Sequence, residues 1–316
     1  MELIDVTLRD GGHAVKFDWP IETAREYYTL ISKIEEVTYI EMGYWKQTEK
    51  TKNTFYNLDI EKLKSIIGEN PRKKVSVMID YHYCTKNLED YPTKDNQNIV
   101  EMIRVCSRKN DIENCLKFIS DLKNHTGLKV SLNIFNVSNY ETQELYEIAE
   151  KVSKVNLDYV YFADTHGSLD FDYDSILFEK SVKLLRSCKI KVGMHLHDHS
   201  GRALSNFKKL TEIGFTGFDA STRGMGKGVG NLRLEQVINN RESLIDLIDF
   251  IQKNEERFTM RESPYGFLTS KYSITDYYGY HAEKLGYSIK EFDKICKSIK
   301  GLDKDVYNDK IWEKNK

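Results

Sequence analysis

The chain has 316 residues, of which 40% are hydrophobic and 30% are charged, and its formal net charge at pH 7 is -2. This balance is typical of a globular protein with a large core, and it gives no reason to expect nucleic acid or an anionic membrane as a partner. The five cysteines are dispersed, no apolar run approaches the ~18 residues of a membrane span, and the N-terminal residues lack the pattern of a signal peptide. We therefore expect a cytoplasmic protein with reduced thiols.

Short β-rich runs alternate with longer amphipathic stretches through most of the chain. Eight such alternations in a chain of this length favour a closed (β/α)8 TIM barrel over an open doubly wound sheet. The predicted strands cover 3–8, 39–44, 75–80, 102–106, 129–135, 159–163, 191–196 and 215–220. The predicted helices between them include 22–36, 111–124, 142–155, 173–186 and 203–213.

The alternation stops after about residue 260, which predicts a barrel domain over 1–260 and a small C-terminal helical extension over 261–316. Helical patterns in the extension cover 271–285 and 290–299. These helices are expected to cover the barrel or to contact a partner, and the pattern leaves a homo-oligomer open.

Reactive side chains cluster where the first predicted strand ends, in Thr7-Leu8-Arg9-Asp10-Gly11-Gly12-His13. TIM-barrel enzymes place reacting groups at the C-terminal ends of their strands. A guanidinium from Arg9 at this position can stabilise a developing enolate or bind a carboxylate, although a surface arginine is the simpler alternative. His13 suits a general base, because imidazole titrates near neutral pH, or it is an ordinary loop histidine.

Two histidines, His195 and His197, end the seventh predicted strand. Side chains at i and i+2 of a strand point the same way, so the two imidazoles can bind one ion. Asp10 would complete a two-histidine, one-carboxylate set with open positions for substrate. Because the set contains no thiolate, we expect a divalent ion, Mn²⁺ first and Mg²⁺ or Co²⁺ as further choices.

A glycine-rich run, 224–230, follows the eighth predicted strand and has the spacing of neither a P-loop nor a dinucleotide fingerprint. It either offers backbone N–H groups to an anion or only permits a tight turn. Asn231, directly after it, is either a fourth metal ligand or the N-cap of a helix that begins at Leu232. His199 continues the histidine series and is interpreted as a neighbour of the site or as part of the turn into the next helix.

Other polar side chains also lie at predicted strand ends, and we expect them to bind substrate. They are Glu41 in strand two, Asp164 and Thr165 after strand six, and Arg223 after strand eight.

The motif Thr7-Leu8-Arg9-Asp10-Gly11, taken with His195-x-His197, resembles the DRE-TIM metallolyase superfamily of HMG-CoA lyase-like TIM barrels. Its members include 4-hydroxy-2-oxovalerate aldolase, HMG-CoA lyase, isopropylmalate and homocitrate synthases, and the carboxyltransferase domain of pyruvate carboxylase. The resemblance extends to Ile-Glu-Met-Gly at 40–43, Ala-Asp-Thr-x-Gly at 163–167 and Gly-x-Gly-Asn at 228–231. The continuation Gly12-His13-Ala14 is similar to the 4-hydroxy-2-oxo acid aldolases, whereas the acetyl-CoA-condensing synthases carry a Glu-Gln pair there.

This resemblance implies a metal-dependent aldolase that cleaves a 4-hydroxy-2-oxo acid to pyruvate and an aldehyde, or that catalyses the reverse condensation. It implies that His13 is the general base and that Tyr272 borders the substrate. It also implies that the C-terminal helices dock an acylating aldehyde dehydrogenase. His166 stands where relatives have a small or apolar residue, which indicates a different substrate pocket and leaves another aldehyde open, a sugar-derived one included.

Three alternatives remain, of which two are enzymes and one is a non-catalytic protein. A 2-isopropylmalate or homocitrate synthase-like enzyme would share the metal site, but the missing Glu-Gln pair and the lack of a long regulatory domain count against it. A non-catalytic barrel that acts as a partner scaffold fits poorly with an intact set of reactive residues. A biotin-dependent carboxyltransferase fits less well still, since neither a biotin-carrier segment nor a modified metal-binding lysine is identified.

Overall fold

The computed structural model describes residues 1–45, 53–95, 98–228, 230–260 and 263–313. Eight parallel strands close into a barrel in sequence order, and the last strand pairs with the first. The strands are β1 (Glu2–Asp5), β2 (Val37–Tyr44), β3 (Lys74–Asp80), β4 (Met102–Ser107), β5 (Lys129–Ile134), β6 (Tyr159–Asp164), β7 (Lys191–Leu196) and β8 (Gly217–Ala220). The TIM-barrel prediction is confirmed, and each predicted strand has its counterpart.

Helices connect the strands and surround the barrel. They are α1 (Ile21–Ile31), α2 (Ile60–Ile67), α3 (Ile112–Thr126), α4 (Thr142–Val152), α5 (Phe171–Asp174), α6 (Ile176–Ser187), α7 (Ala203–Glu212) and α8 (Arg241–Lys253). The C-terminal extension contains α9 (Pro264–Lys271), α10 (Tyr277–Leu285), α11 (Ile289–Ser298) and α12 (Lys310–Glu313). Within the described ranges, no helix is long and apolar enough to cross a membrane.

The side chains of each strand alternate between the helical shell and the barrel interior. On β7, Val192 and Met194 belong to the large apolar core shared with the helices, whereas His195 faces the interior. Tyr161 fills the lower part of the interior beside Gly193 and Gly217, where an added Cβ would lie 2.4 and 2.5 Å from its ring and hydroxyl. Above this tyrosine the interior is charged, so the barrel carries polar groups directly beneath its mouth.

The first strand is shorter than predicted, ending at Asp5 rather than at residue 8. The chain turns because the N–H groups of Asp10 and Gly11 both donate to the carbonyl of Val6, at 2.7 and 3.3 Å. The side chain of Thr7 donates to Asp5 at 2.5 Å and holds the turn from inside. Arg9 and Asp10 therefore lie on a tight turn over the mouth rather than on the strand.

Three predicted helices also differ from the structure, and the first of them, 22–36, ends early at Ile31 of α1. The predicted helix 173–186 is interrupted at Ser175, between α5 and α6. The predicted helix 271–285 is shorter in the structure, because α9 ends at Lys271 and α10 begins only at Tyr277, and Ser273 between them has a left-handed φ of 49°. The predicted helix 290–299 corresponds to α11.

The C-terminal extension has an apolar core of its own, built around Tyr278, Phe292 and Trp312. Its contacts with the barrel include polar ones at the mouth: Ser270 donates to the carbonyl of Gly167 at 3.0 Å, and Asn139 donates to Asp305 at 2.7 Å. The extension thus packs on the C-terminal face of the barrel. The predicted boundary at 260/261 stays a prediction, and Arg261 and Glu262 lie outside the described residues.

Candidate active site

The three predicted metal ligands come together at the barrel mouth. The Nε2 atoms of His195 and His197 are 3.2 Å apart, and Oδ2 of Asp10 lies 3.8 Å from Nε2 of His195. One ligand atom from each residue lies within 4.8 Å of the others, and all three side chains are buried. This spacing lets the three residues share a single ion.

A buried network of charged side chains lies beneath the three predicted metal ligands and supports them. Nδ1 of His195 lies 2.9 Å from Oδ2 of Asp219, whose two oxygens accept bonds of 3.0 and 2.8 Å from Nη2 of Arg104. Nη1 of Arg104 bonds to Glu41 at 3.1 Å, and Nε of Arg9 bonds to the other oxygen of Glu41 at 2.6 Å. Cζ of Arg104 lies 4.4 Å from the centroid of the Tyr161 ring, so the ring supports the guanidinium inside the barrel.

The charges of this cluster fit a bound cation. The carboxylates of Asp10, Glu41 and Asp219 face the two guanidinium groups of Arg9 and Arg104, which leaves one net negative charge in a buried space. Such a charge is costly in a protein interior unless a cation compensates it. A divalent ion would change the net charge of the cluster from negative to positive, and a positive charge suits an anionic substrate.

The electrostatics keep the proposed ligands ready to bind a metal. Burial alone would raise the pKa of Asp10, but the charges of Arg9, His195 and His197 outweigh it and hold that pKa well below its usual value. Burial, together with the neighbouring imidazole of His195, holds the pKa of His197 well below its usual value. An ionised carboxylate and a neutral imidazole are the forms that ligate metals.

Asn231 lies beside Asp10 and does not cap a helix at Leu232, because the next α-helix begins only at Arg241. Its Nδ2 donates to Oδ2 of Asp10 at 2.7 Å and to the carbonyl of Met225 at 3.0 Å. Its Oδ1 is buried and has no hydrogen-bond partner among the described residues. In this orientation the amide positions the carboxylate; rotation by 180° would present Oδ1 as a ligand atom.

The glycine-rich run lies over the three predicted metal ligands, Asp10, His195 and His197, which are called the metal-ligand set below. A Cβ on Gly226 would lie 2.6 Å from Oδ2 of Asp10 and 2.5 Å from Nδ2 of Asn231, so only glycine permits this approach. Gly224, Gly228 and Gly230 have left-handed φ values of 67°, 70° and 101°, which fits the alternative of a tight turn, and binding of an anion by the run stays a prediction. Val229 lies outside the described residues.

His13 lies at the edge of the site and is partly buried. Its Nε2 is 3.4 Å from the hydroxyl of Tyr44, and its ring packs edge-on against Phe17 with centroids 4.9 Å apart. Burial lowers its pKa to about 4, the charges of Lys227 and Arg9 act in the same direction, and Asp10 opposes them. The imidazole is therefore neutral at physiological pH and can accept a proton.

Three residues predicted to bind substrate make contacts within the protein. Glu41 is fully buried between the two arginines. Asp164 accepts bonds from the N–H groups of its own loop, at 3.1 Å from Ser168 and 3.1 Å from Leu169, and Thr165 accepts one from the N–H of residue 136 at 2.9 Å. These contacts shape the floor and rim of the mouth, and direct substrate contact stays a prediction.

The last two predicted substrate-binding residues bond to groups other than Asp10, His195 and His197. Arg223 donates to the carbonyl of Phe258 at 3.0 Å and lines a cleft of about 740 Å³ between the β7 and β8 loops and α9. Tyr272 donates to Asp293 at 2.6 Å and takes part in the packing of the extension itself. Their roles toward substrate also stay predictions.

Sequence reasoning missed Arg104 and Asp219, which connect the site. Each is a single charged residue inside an otherwise apolar strand, and that interruption was the available signal. It also missed Lys227, which forms an ion pair with Asp276 of the extension at 3.2 Å. This pair depends on how the C-terminal helices fold back over the barrel.

Comparison with known proteins identifies relatives of this chain by sequence and by fold. The HMGL-like family model matches residues 1–249. A 4-hydroxy-2-oxovalerate aldolase from Geobacillus genomosp. 3 is 24% identical over 250 residues, covering 75% of this chain and 69% of the relative. An (R)-citramalate synthase from Sulfolobus acidocaldarius is 21% identical over 326 residues, covering 95% of this chain and 61% of the relative. The crystal structure of HMG-CoA lyase from Brucella melitensis shares the fold with a TM-score of 0.60 and 18% identity, over 81% of this chain and 98% of that one.

Proposed function

The chain belongs to the HMGL-like family, and we propose that it is a divalent-metal-dependent aldolase that cleaves a 4-hydroxy-2-oxo acid to pyruvate and an aldehyde, or catalyses the reverse condensation. The observation that carries this proposal is the convergence of the Arg9 guanidinium with ligand atoms of Asp10, His195 and His197 in one buried, negatively charged cluster. Neutral His13 at its edge supplies a base.

The proposed metal ligands are Asp10, His195 and His197, with Asn231 as a fourth if its amide is rotated. Oxygen and imidazole donors without thiolate suit Mn²⁺, Mg²⁺ or Co²⁺, of which we propose Mn²⁺. When bound, such an ion acts as a Lewis acid toward the oxygens of the 2-oxo acid.

Arg9 has the clearest role among the protein's own groups. Its Nε is bonded to Glu41, and its Nη1 is bonded to Asp10, so the guanidinium plane is fixed before substrate arrives. A fixed donor of this kind stabilises the negative charge that develops on the C2 oxygen as the enolate forms, at no cost of reorganisation.

His13 accepts the proton of the C4 hydroxyl in the cleavage direction. The C3–C4 bond then breaks, its electron pair enters the enolate of pyruvate, and C4 leaves as the aldehyde. A proton then passes from the His13 imidazolium to C3, directly or through water, which completes the reaction and restores the neutral base. In the reverse direction the imidazole takes this proton from the methyl group of pyruvate and returns it to the new hydroxyl. A base with a lowered pKa is unprotonated at neutral pH, as this step requires.

A synthase that condenses acetyl-CoA with a 2-oxo acid is the second candidate. The observation in its favour is the similarity to (R)-citramalate synthase, which runs through 95% of this chain and so includes the C-terminal helices. Against it stands His13, since the synthases have a Glu-Gln pair after the strand-one motif.

The test is condensation of pyruvate with a panel of aldehydes in the presence of Mn²⁺, with the product identified by mass spectrometry. A 4-hydroxy-2-oxo acid that forms with the wild type, and neither with His195→Ala nor after chelation, supports the aldolase. Release of free thiol from acetyl-CoA, without an aldol product from any aldehyde, would favour the synthase instead.

We also propose that the C-terminal helices dock an aldehyde dehydrogenase and that the protein works in the cytoplasm. The support for docking is a set of exposed apolar side chains on the extension, namely Tyr277, Tyr280, Leu285, Leu302 and Val306. The support for the compartment is that all five cysteines are free thiols. Co-purification of an aldehyde dehydrogenase with the wild type, lost on Tyr280→Ser, would test the docking.

A further inference from the structure

The segment 226–228 runs between the metal-ligand set and the C-terminal extension. On one side, a Cβ on Gly226 would lie 2.6 Å from the carboxylate of Asp10; on the other, a Cβ on Gly228 would lie 2.5 Å from Nε2 of His199 and 3.6 Å from Oδ2 of Asp276. Close approach on both sides fixes the backbone of Lys227, so this lysine is held at the boundary between barrel and extension.

The side chain of Lys227 extends toward α10. Its ammonium lies 3.2 Å from Oδ1 of Asp276 and 4.7 Å from the centroid of the Tyr277 ring. The side chains of Lys227 and Asp276 are 30% and 27% exposed, whereas those of Asp10 and His195 are 5% and 8% exposed. The Lys227–Asp276 pair therefore forms part of the solvent-facing rim above the buried metal-ligand set.

Two buried histidines lie behind this pair. His199 contacts Gly167 and Gly228, and His166 has its Nδ1 3.0 Å from the hydroxyl of Ser138. The Nε2 of His166 is buried without a hydrogen-bond partner among the described residues and lies 3.8 Å from Asp305. Burial lowers the pKa of His166 to about 3, so this ring is uncharged, and the charges of Lys227 and Asp276 compensate each other.

The rim therefore offers hydrogen-bond donors and acceptors side by side with little net charge. A phosphate or carboxylate bound to Lys227 would lie beside the carboxylate of Asp276, which repels it. A plain alkyl chain would displace water from this pair and would leave Nε2 of the buried His166 without a partner, which is costly. A hydroxyl group both donates and accepts, so it can bond to an ammonium and a carboxylate together. These properties favour a substrate with hydroxyl groups at this end.

The orientation of the substrate follows from the proposed function, on which this inference rests. With the 2-oxo acid end at Arg9 and the metal-ligand set, the aldehyde end extends outward to the rim. We propose that the aldehyde is polyhydroxylated, as in a short sugar, and that Lys227 and Asp276 determine this specificity by binding the hydroxyl groups next to its carbonyl.

Two aldehydes of equal carbon number test this proposal. The value of kcat/KM for condensation with pyruvate is measured with glyceraldehyde and with propanal, using the metal-loaded full-length protein. The wild type should prefer glyceraldehyde by about 100-fold or more. Lys227→Met should reduce that preference about tenfold or more, chiefly through KM for glyceraldehyde, and Asp276→Asn should reduce it less because the amide keeps an acceptor oxygen. Lys253→Met removes a lysine from an exposed pair with Asp249 on α8 and should leave the preference unchanged.

Two results would overturn the proposal: equal or better use of propanal by the wild type, or a preference of tenfold or more for glyceraldehyde 3-phosphate over glyceraldehyde. Exchange of the pyruvate methyl protons in D₂O, measured without any aldehyde, tests the proposed aldolase function separately from the proposed aldehyde specificity. Exchange without a preference for glyceraldehyde over propanal would contradict only the proposed specificity. Absence of exchange would contradict the proposed aldolase function as well.

Discussion

Asp219 on β8 lies 2.9 Å from Nδ1 of His195 on β7, and this contact directs Nε2 of the same ring toward His197 and Asp10. A carboxylate at this position keeps the proton on Nδ1 and leaves Nε2 as the ligand atom. Because Arg104 links Asp219 to Glu41, and Glu41 holds Arg9, one buried network positions both a proposed metal ligand and the proposed catalytic arginine.

Replacing Asp219 should weaken metal binding. Asp219→Asn removes the charge that orients His195, and loss of such a partner typically lowers metal affinity about 10- to 100-fold. Competition with a fluorescent chelator for Mn²⁺ measures the change, with Asp249→Asn on the exposed face of α8 as the matched control. Unaltered affinity in a folded Asp219→Asn protein would show that the network does not support the ligand.

Arg104 is expected to matter mainly for stability. Its guanidinium is fully buried between Glu41 and Asp219, so Arg104→Met removes a charged partner from both carboxylates and leaves them only Arg9 and His195. Breaking such a buried pair typically costs about 3–5 kcal/mol in the free energy of unfolding, as urea denaturation would record. Arg108→Met, which breaks the more exposed pair with Asp80, should cost about 1 kcal/mol or less. Equal losses in the two variants would contradict this account.

Arg9 is expected to act on the chemical step. Loss of one fixed donor to a developing oxyanion costs about 10²-fold or more in rate, so Arg9→Ala should lower kcat by that amount. Steady-state kinetics on protein whose fold is verified by circular dichroism would measure it. An increase in KM with kcat intact would instead make Arg9 a residue that only binds substrate.

Asp5 introduces a pH dependence of stability. Burial raises its pKa from 3.8 to about 7, although bonds from Thr7 and Tyr27 oppose the shift. The folded state therefore holds a proton that the unfolded state has released, and the resulting stabilisation is complete below pH 3.8 and lost as the pH rises through about 7. Between those values, wild type should lose about 1.4 kcal/mol per pH unit relative to Asp5→Asn. Urea denaturation at pH 5, 6, 7 and 8 measures this difference; a pH-independent difference would show that Asp5 is ionised in the folded protein.

The barrel and the clustering of Asp10, His195 and His197 could be predicted because their signals are local. Apolar runs mark the strands, and the i, i+2 spacing of His195 and His197 projects both rings to one side. The turn after Asp5 could not be predicted in this way, because Tyr27 and Thr222 hold it through bonds to the side chains of Asp5 and Thr7.

The rest of the site depends on contacts between distant parts of the chain. Arg104 and Asp219 are 115 residues apart in sequence, and closure of the barrel brings them together. Lys227 meets Asp276 only because the C-terminal helices pack on the mouth. A single charged residue in an apolar strand indicates that a buried partner exists, but the pattern does not identify that partner.

The central claim is that this site forms an enolate from pyruvate, and proton exchange tests it most directly. Metal-loaded protein is incubated with pyruvate in D₂O, and the methyl signal is followed by proton NMR, with chelated protein and His195→Ala as controls. We expect the signal to decay only with the metal-loaded wild type. A stable signal, with bound metal demonstrated in the same sample, would contradict the claim and move the assignment toward another 2-oxo acid or the synthase.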